Sequence, residues 1–222
     1  MRRALVWCTV GAALGALGCG EPLGTAAPAL VPDQAMRFLR WPAHADGAGF
    51  AVARETPSPE PAATTDMPLE GGLSFWAVRG RSHALGIHYV SGATTQPFLQ
   101  LSLPADALLR RPDGTMFADG DSVLISLTVD SSLVMVTFTP SGLTFNPTSP
   151  LTVDVFYGAA DLDLDGDGDV DPVDEALRLE RLGVWYQEFT GTPWERTAAS
   201  HDPESRRFAV SLYHFSGYAV SW

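Results

Sequence analysis

Seven aspartates fall within the fourteen residues 161–174, Asp161-Leu-Asp-Leu-Asp-Gly-Asp-Gly-Asp-Val-Asp-Pro-Val-Asp. Carboxylates this dense repel one another, and a folded chain holds them together where a multivalent cation neutralises them. Calcium suits the donor set, being hard and taking six to eight oxygen ligands. The register can be tested. An EF-hand-type loop takes side-chain oxygens at positions 1, 3, 5, 9 and 12. It also takes Gly at 6, a backbone carbonyl at 7 and usually an apolar residue at 8. Starting at Asp163 gives Asp163, Asp165, Asp167, Gly168, the Asp169 carbonyl, Val170, Asp171 and Asp174, and every position fits. Starting at Asp161 puts Gly168 at the apolar position and Pro172 at position 12; starting at Asp165 puts Val170 where Gly must turn. One departure is Asp rather than Glu at position 12, a shorter side chain that can coordinate through one oxygen only. The competing expectation is a solvated acidic loop that binds nothing.

Residues 173–183, Val-Asp-Glu-Ala-Leu-Arg-Leu-Glu-Arg-Leu-Gly, read as a short helix. Acids occupy its first turn, Arg lies near its end, and Gly stops it. The preceding segment 151–157 is a strand pattern, so no helix enters the loop as it would in an EF-hand. The run 163–179 resembles one half of a dockerin repeat. Dockerins carry two such halves and this chain has one, so cohesin binding is not implied.

The first residues read as an address. Met1-Arg-Arg is a positive start, and 4–18 is an apolar stretch too short to span a bilayer comfortably. It ends in Ala16-Leu-Gly-Cys19, which resembles the lipobox of bacterial lipoproteins, with Ala16 where Leu is usual. The resemblance implies a signal peptide over 1–18, lipidation of Cys19, and membrane attachment on the extracytoplasmic side of a bacterial envelope, the outer membrane being favoured. The alternative is ordinary secretion with cleavage elsewhere. Cleavage before Cys19 leaves no pair of thiols, so no intrachain disulfide is expected. It also leaves twelve arginines against 26 acids, a charge of −14, which argues against nucleic acid or anionic headgroups as partners. The Pro/Ala-rich segment 19–35 reads as a tether.

Beyond it the chain is a succession of short β patterns. Segments 37–41 and 49–53 can each pair as strands, and 57–61 is a Pro-rich loop. Stronger patterns cover 73–78, 84–90, 98–103, 123–129, 133–138, 151–157, 184–189, 208–214 and 218–222. Within 123–129, Val123, Ile125, Leu127 and Val129 alternate onto one face. Turn formers separate the runs, as at Pro112-Asp-Gly114 and Pro140-Ser-Gly142. The expected fold is mainly β, an antiparallel β-sandwich with one short helix after the inserted calcium loop. Segment 36–96 is expected to pack on the sandwich formed by 97–222, whose loop and helix occupy 161–183. Trp76, Trp185, Trp194 and Trp222 are expected in packing rather than as a sugar platform.

Within 97–222 several motifs resemble ZU5-like domains. They are Phe138-Thr-Pro-Ser-Gly-Leu-Thr-Phe145, then Pro150-Leu-Thr-Val-Asp-Val-Phe-Tyr157. The end, from Val184-Trp-Tyr through Trp194 to Tyr213-His-Phe-Ser-Gly-Tyr-Ala-Val220, resembles the closing hairpins and last strand of bacterial relatives. Leu103-Pro-Ala-Asp-Ala-Leu108 resembles their Pro-x-Gly-Ala-Leu turn, with Asp106 replacing Gly. The resemblance implies a β-sandwich used for binding or scaffolding, possible partners being other envelope proteins. It also raises self-processing. Some ZU5 domains cleave themselves at His-Phe-Ser, the Ser hydroxyl attacking the preceding carbonyl with His as base. Here those residues are His214, Phe215 and Ser216, with cleavage at Phe215–Ser216. The simpler expectation is that the motif supplies the last strand. No Gly-x-Ser-x-Gly, phosphate loop or His-Glu-x-x-His occurs, so no enzyme is expected. A carbohydrate-binding or carbohydrate-active module is a third reading.

Overall fold

Alternation decides which way each strand faces. In Ser122–Val129 the side chains of Ile125, Leu127 and Val129 are buried while Leu124 and Thr128 face out. In Leu151–Phe156 the buried set is Leu151, Val153 and Val155. Such faces demand a second apolar face, and the chain supplies it from its own strands.

The computed structural model describes residues 30–42, 48–55, 64–67 and 72–222. The signal-peptide segment 1–18, Cys19 and the loop 57–61 lie outside them. In chain order the elements are β1 (Leu30–Val31), β2 (Gly49–Glu55), β3 (Thr64–Met67), β4 (Gly72–Val78), β5 (His83–Ser91), β6 (Thr94–Leu103), β7 (Leu108–Arg110) and β8 (Ser122–Val129). They continue with β9 (Met135–Thr139), β10 (Thr144–Phe145), β11 (Leu151–Phe156), α1 (Pro172–Glu180), β12 (Gly183–Gln187), β13 (Trp194–Arg196), β14 (Ala199–Asp202), β15 (Arg207–Leu212) and β16 (Gly217–Ser221).

The fold is a mainly β, antiparallel sandwich. One sheet runs β1-β13-β12-β16-β9-β8-β4, the other β14-β15-β11-β6-β5-β2-β3, and β7 pairs with β10 as a small ribbon. One continuous core joins the two, with Ile125, Leu127 and Phe138 from the first sheet and Ile87, Leu99 and Leu101 from the second. Each fully buried Leu, Ile or Phe contributes about 1.5–3 kcal/mol relative to exposure. Trp41 closes one part of that core, stacked on Tyr89 at 5.0 Å and edge-on to Phe98 at 4.9 Å.

The chain changes sheets at two places that matter for the site. β4 and β5 flank the Gly80-Arg-Ser turn yet do not pair: β4 pairs β8, while β5 pairs β6 and β2. The corner is held by Arg79 N–H to Asp121 O at 2.8 Å and Gly80 N–H to Ala105 O at 2.7 Å. The second change runs from β11 to β12, and the aspartate loop with α1 makes that crossing.

The N-terminal segment 30–41 straps the first sheet. β1 pairs β13, Leu39 N–H bonds Val220 O at 2.9 Å, and Val134 N–H bonds Leu39 O at 2.8 Å. Residues 30–35, read from composition as part of a tether, thus join the fold. Phe38 packs edge-on against Trp194 at 5.1 Å, in a second small core with Trp185 and Ala219. Trp185 and Trp194 are buried, as expected of packing residues, whereas Trp76 is exposed.

Candidate metal centre

The site begins with the helix cap. Asp171 is the N-cap of α1, and its Oδ1 accepts from Val173 N–H at 2.7 Å and Asp174 N–H at 3.4 Å. Pro172 follows at the first helical position, where its missing N–H costs nothing. Asp174 completes the capping box by accepting the Asp171 N–H at 2.9 Å on Oδ2. Its Oδ1 also accepts Leu164 N–H at 2.6 Å and Asp165 N–H at 3.1 Å. One carboxylate thus ties the start of the loop to the start of the helix, and it is 2% exposed.

The loop coils around its own side chains. Asp163 accepts Gly166 N–H at 2.8 Å and Gly168 N–H at 2.9 Å, one on each oxygen. Gly166 and Gly168 have φ of +83° and +100°, a region that any Cβ disfavours. No described residue lies within 4 Å of a Cβ built at either, so backbone conformation rather than space requires glycine there. Between the aspartates, Leu164 turns inward and is 3% exposed, anchoring the loop in the main core.

This coiling brings three of the six expected ligands together. Ligand oxygens of Asp163, Asp165 and Asp174 lie within 4.8 Å of one another, and the trio could hold a metal ion. Asp167, Asp169 and Asp171 stand outside that grouping, Asp171 being committed to the cap. A carboxylate offers about four lone-pair sites. Asp163 has one N–H on each oxygen and keeps a site on each; Asp174 has two on Oδ1 and one on Oδ2. Asp174 is therefore left to bind a cation through Oδ2 alone, which is the one-oxygen behaviour its short side chain suggests. An all-carboxylate set selects hard cations.

The electrostatics separate the trio. Desolvation, reinforced by the neighbouring charges of Asp167, Asp174 and Asp171, raises the pKa of Asp165. The Asp171 N–H, helped by those of Asp165 and Leu164, holds Asp174 below the ordinary value against the opposing effect of burial. Without a cation, charging Asp165 works against the folded loop, and that opposition is relieved as pH falls through its raised pKa. The contribution of Asp174 has the opposite sign: present above its unfolded pKa, lost as pH falls through its lowered one. On acidification Asp165 therefore takes its proton before Asp174, and a cation held by the trio would be released while the cap is still intact. Metal titrations at descending pH, read beside the amide signal of Asp171, are expected to show affinity lost first. Simultaneous loss of both would contradict this order.

A second polar cluster docks the helix on the sandwich. Arg178 pairs with Glu175 at 2.5 Å, donates to Pro203 O at 2.8 Å and reaches the Tyr157 hydroxyl at 3.3 Å. Tyr157 is fully buried and bonds His201 Nε2 at 2.6 Å. No spacing rule in the sequence reports this cluster, whereas the inward Leu164 is hinted at by the Leu/Asp alternation of 161–165.

The structure places His214 and Ser216 in the crossing from β15 to β16. His214 Nδ1 lies 3.6 Å from Glu188 Oε2, and its ring meets Tyr186 edge-on at 5.3 Å. Ser216 is 2% exposed, and among the described residues its Oγ has no well-formed hydrogen bond, although it interacts with the Tyr218 hydroxyl enough to oppose the effect of burial on that group. The nearby Tyr218 hydroxyl donates instead to His214 O at 2.9 Å, and burial pushes its pKa up to about 12. No hydrogen bond joins the His214 ring to the Ser216 hydroxyl. Phe215 between them is fully buried, stacked on Phe138 at 5.0 Å. No family model, no curated protein and no solved structure matches this chain.

Proposed function

We propose that this chain is a calcium-stabilised β-sandwich, anchored by a lipid on Cys19 outside the cytoplasm of a bacterial cell, with a non-catalytic binding or scaffolding role at the envelope. The observation that carries the metal part is the convergence of Asp163, Asp165 and Asp174 oxygens within 4.8 Å. Calcium is favoured because the loop supplies only oxygen donors in an EF-hand register. The Asp167 side chain, the Asp169 carbonyl and Asp171, the last through water, would fill the remaining positions. The ion would cancel the repulsion among the aspartates and fasten α1 and its loop across the two sheets. Without an entering helix, the site has no helix pair to open, so the ion would act as a staple rather than a switch. Affinity of about 10⁻⁴–10⁻³ M, as in extracellular modules, is expected.

Mass spectrometry of protein recovered from its membrane fraction tests this reading. The native spectrum is expected to show one calcium per chain, and the denatured spectrum an acylated chain beginning at Cys19 and uncleaved at Phe215–Ser216. A chain without acyl groups would remove the anchor. A chain that takes up no calcium at millimolar concentration would remove the ion. A fragment beginning at Ser216 would replace the scaffolding reading with self-processing.

A further inference from the structure

The outer face of the first sheet carries a dent. Gly217 of β16 lies between Thr137 of β9 and Gln187 of β12 in the sheet. Its missing side chain leaves a depression: a Cβ there would meet nothing closer than 3.8 Å. The N-terminal strap covers the neighbouring part of this face but not the dent. The result is a cleft of about 410 Å³, within the range of small-molecule sites.

Its walls and rim differ in chemistry. Phe38 and Phe189 give it aromatic walls; Trp194 also lines it but is buried and offers little open ring. Phe189 is 61% exposed, and its turn is pinned by Thr192 N–H and Oγ1 to Phe189 O at 2.9 and 2.7 Å. The backbone that carries this exposed ring is thus held at the mouth. Among the described residues, the charged groups lining the cleft are two carboxylates, Asp33 and Glu188, with no Arg or His. Asp33 uses Oδ1 to accept the Trp194 indole N–H at 2.7 Å, and Glu188 faces His214 Nδ1 at 3.6 Å. Each keeps capacity for another donor. The buried Ser216 also lines the cleft.

Aromatic faces attract cations, carboxylates neutralise them, and the apolar floor accepts alkyl groups. From this complementarity we propose that the cleft binds a small organic cation, an ammonium group carried on an apolar body. The ammonium sits between the carboxylates and the rings, and the apolar part fills the space over Gly217. This site is separate from the aspartate loop and does not depend on its ion.

Calorimetric titration of the full-length chain with choline, and with dimethylbutanol as its neutral carbon isostere, tests the proposal. Choline is expected to bind saturably and the isostere at least about tenfold more weakly, because the charge supplies the preference. Glu188→Gln and Asp33→Asn are each expected to weaken choline by about three- to tenfold. Gly217→Leu, which fills the dent while leaving both carboxylates, is expected to abolish binding. Melting curves establish that each variant is folded; the two charge variants, at exposed and half-exposed positions, provide the answer should Gly217→Leu fail to fold. Absence of saturable choline binding, equal binding of the isostere, or unchanged affinity in both charge variants would overturn it.

Discussion

Asp174→Ala is expected to collapse the whole aspartate insertion while leaving both sheets intact. The carboxylate accepts the N–H groups of Leu164, Asp165 and Asp171, closes the capping box of α1, and supplies one of the three converging oxygens. Its removal leaves three backbone donors without their acceptor, one of them buried, and an unmet donor is the costly half of a broken hydrogen bond. The helix loses half of its reciprocal cap at the same step. Amide exchange protection should therefore vanish across about 158–182 and persist in β5, β6, β8 and β11, whose ladders pair with other strands and not with the loop. Calcium should no longer raise the melting temperature of this variant, since ligand-linked stabilisation requires a site that survives. Asp167→Ala gives the contrast. Asp167 accepts only Asp169 N–H at 3.0 Å and lies outside the trio, so its loss should weaken calcium and spare the helix. Retained protection across 158–182 in Asp174→Ala would show that Leu164 and Arg178 hold the insertion unaided. Protection lost throughout both sheets would mean that the sandwich itself folds around this loop.

Phe215→Ala is expected to have the largest effect on global stability, about 3–5 kcal/mol, the usual range for truncating a fully buried Phe. The ring is 0% exposed, stacked on Phe138 at 5.0 Å and edge-on to Phe145 at 4.9 Å. The backbone around it is locked: Phe215 N–H bonds Leu143 O at 3.1 Å, and Phe138 N–H bonds Ser216 O at 3.1 Å. The segment therefore ties the ribbon strand β10, the strand β9 and the crossing between sheets into one unit. Ser216→Ala is expected to be neutral or slightly stabilising, because it removes a buried hydroxyl without a well-formed hydrogen bond. Urea unfolding of the two variants separates the roles. A large loss in Phe215→Ala with none in Ser216→Ala marks His-Phe-Ser as a packing motif. A Ser216→Ala loss comparable to that of Phe215→Ala would show that the hydroxyl is satisfied in solution.

Much of the architecture was legible from period and punctuation. The alternation of Ile125, Leu127 and Val129 gave a strand and its inward face, and the structure buries all three. The acids of the first turn and the closing Gly183 bracketed a helix that spans Pro172–Glu180. The density of carboxylates was legible too, and three of them converge in the structure. Gly166 and Gly168 both have the positive φ that favours glycine, a local requirement of the coil.

What the sequence by itself determined is therefore local: which segments are strands, which face each buries, where one helix starts, and where oxygens are dense. Tertiary structure decided which strands pair. Val78 and His83 flank a short turn, yet β4 and β5 lie in opposite sheets, because alternation fixes a face and carries no information about a neighbour. Tertiary structure also decided which carboxylates converge. Asp171 and Asp174 are both candidates by spacing. The helix start takes Asp171 as its cap and turns Asp174 back to the loop backbone, so only Asp174 joins Asp163 and Asp165. The cleft over Gly217 was not legible at all. It needs β9, β12, β16 and the strap at 30–38 side by side, and contacts between segments so far apart depend on the packing of two sheets, which no local pattern encodes.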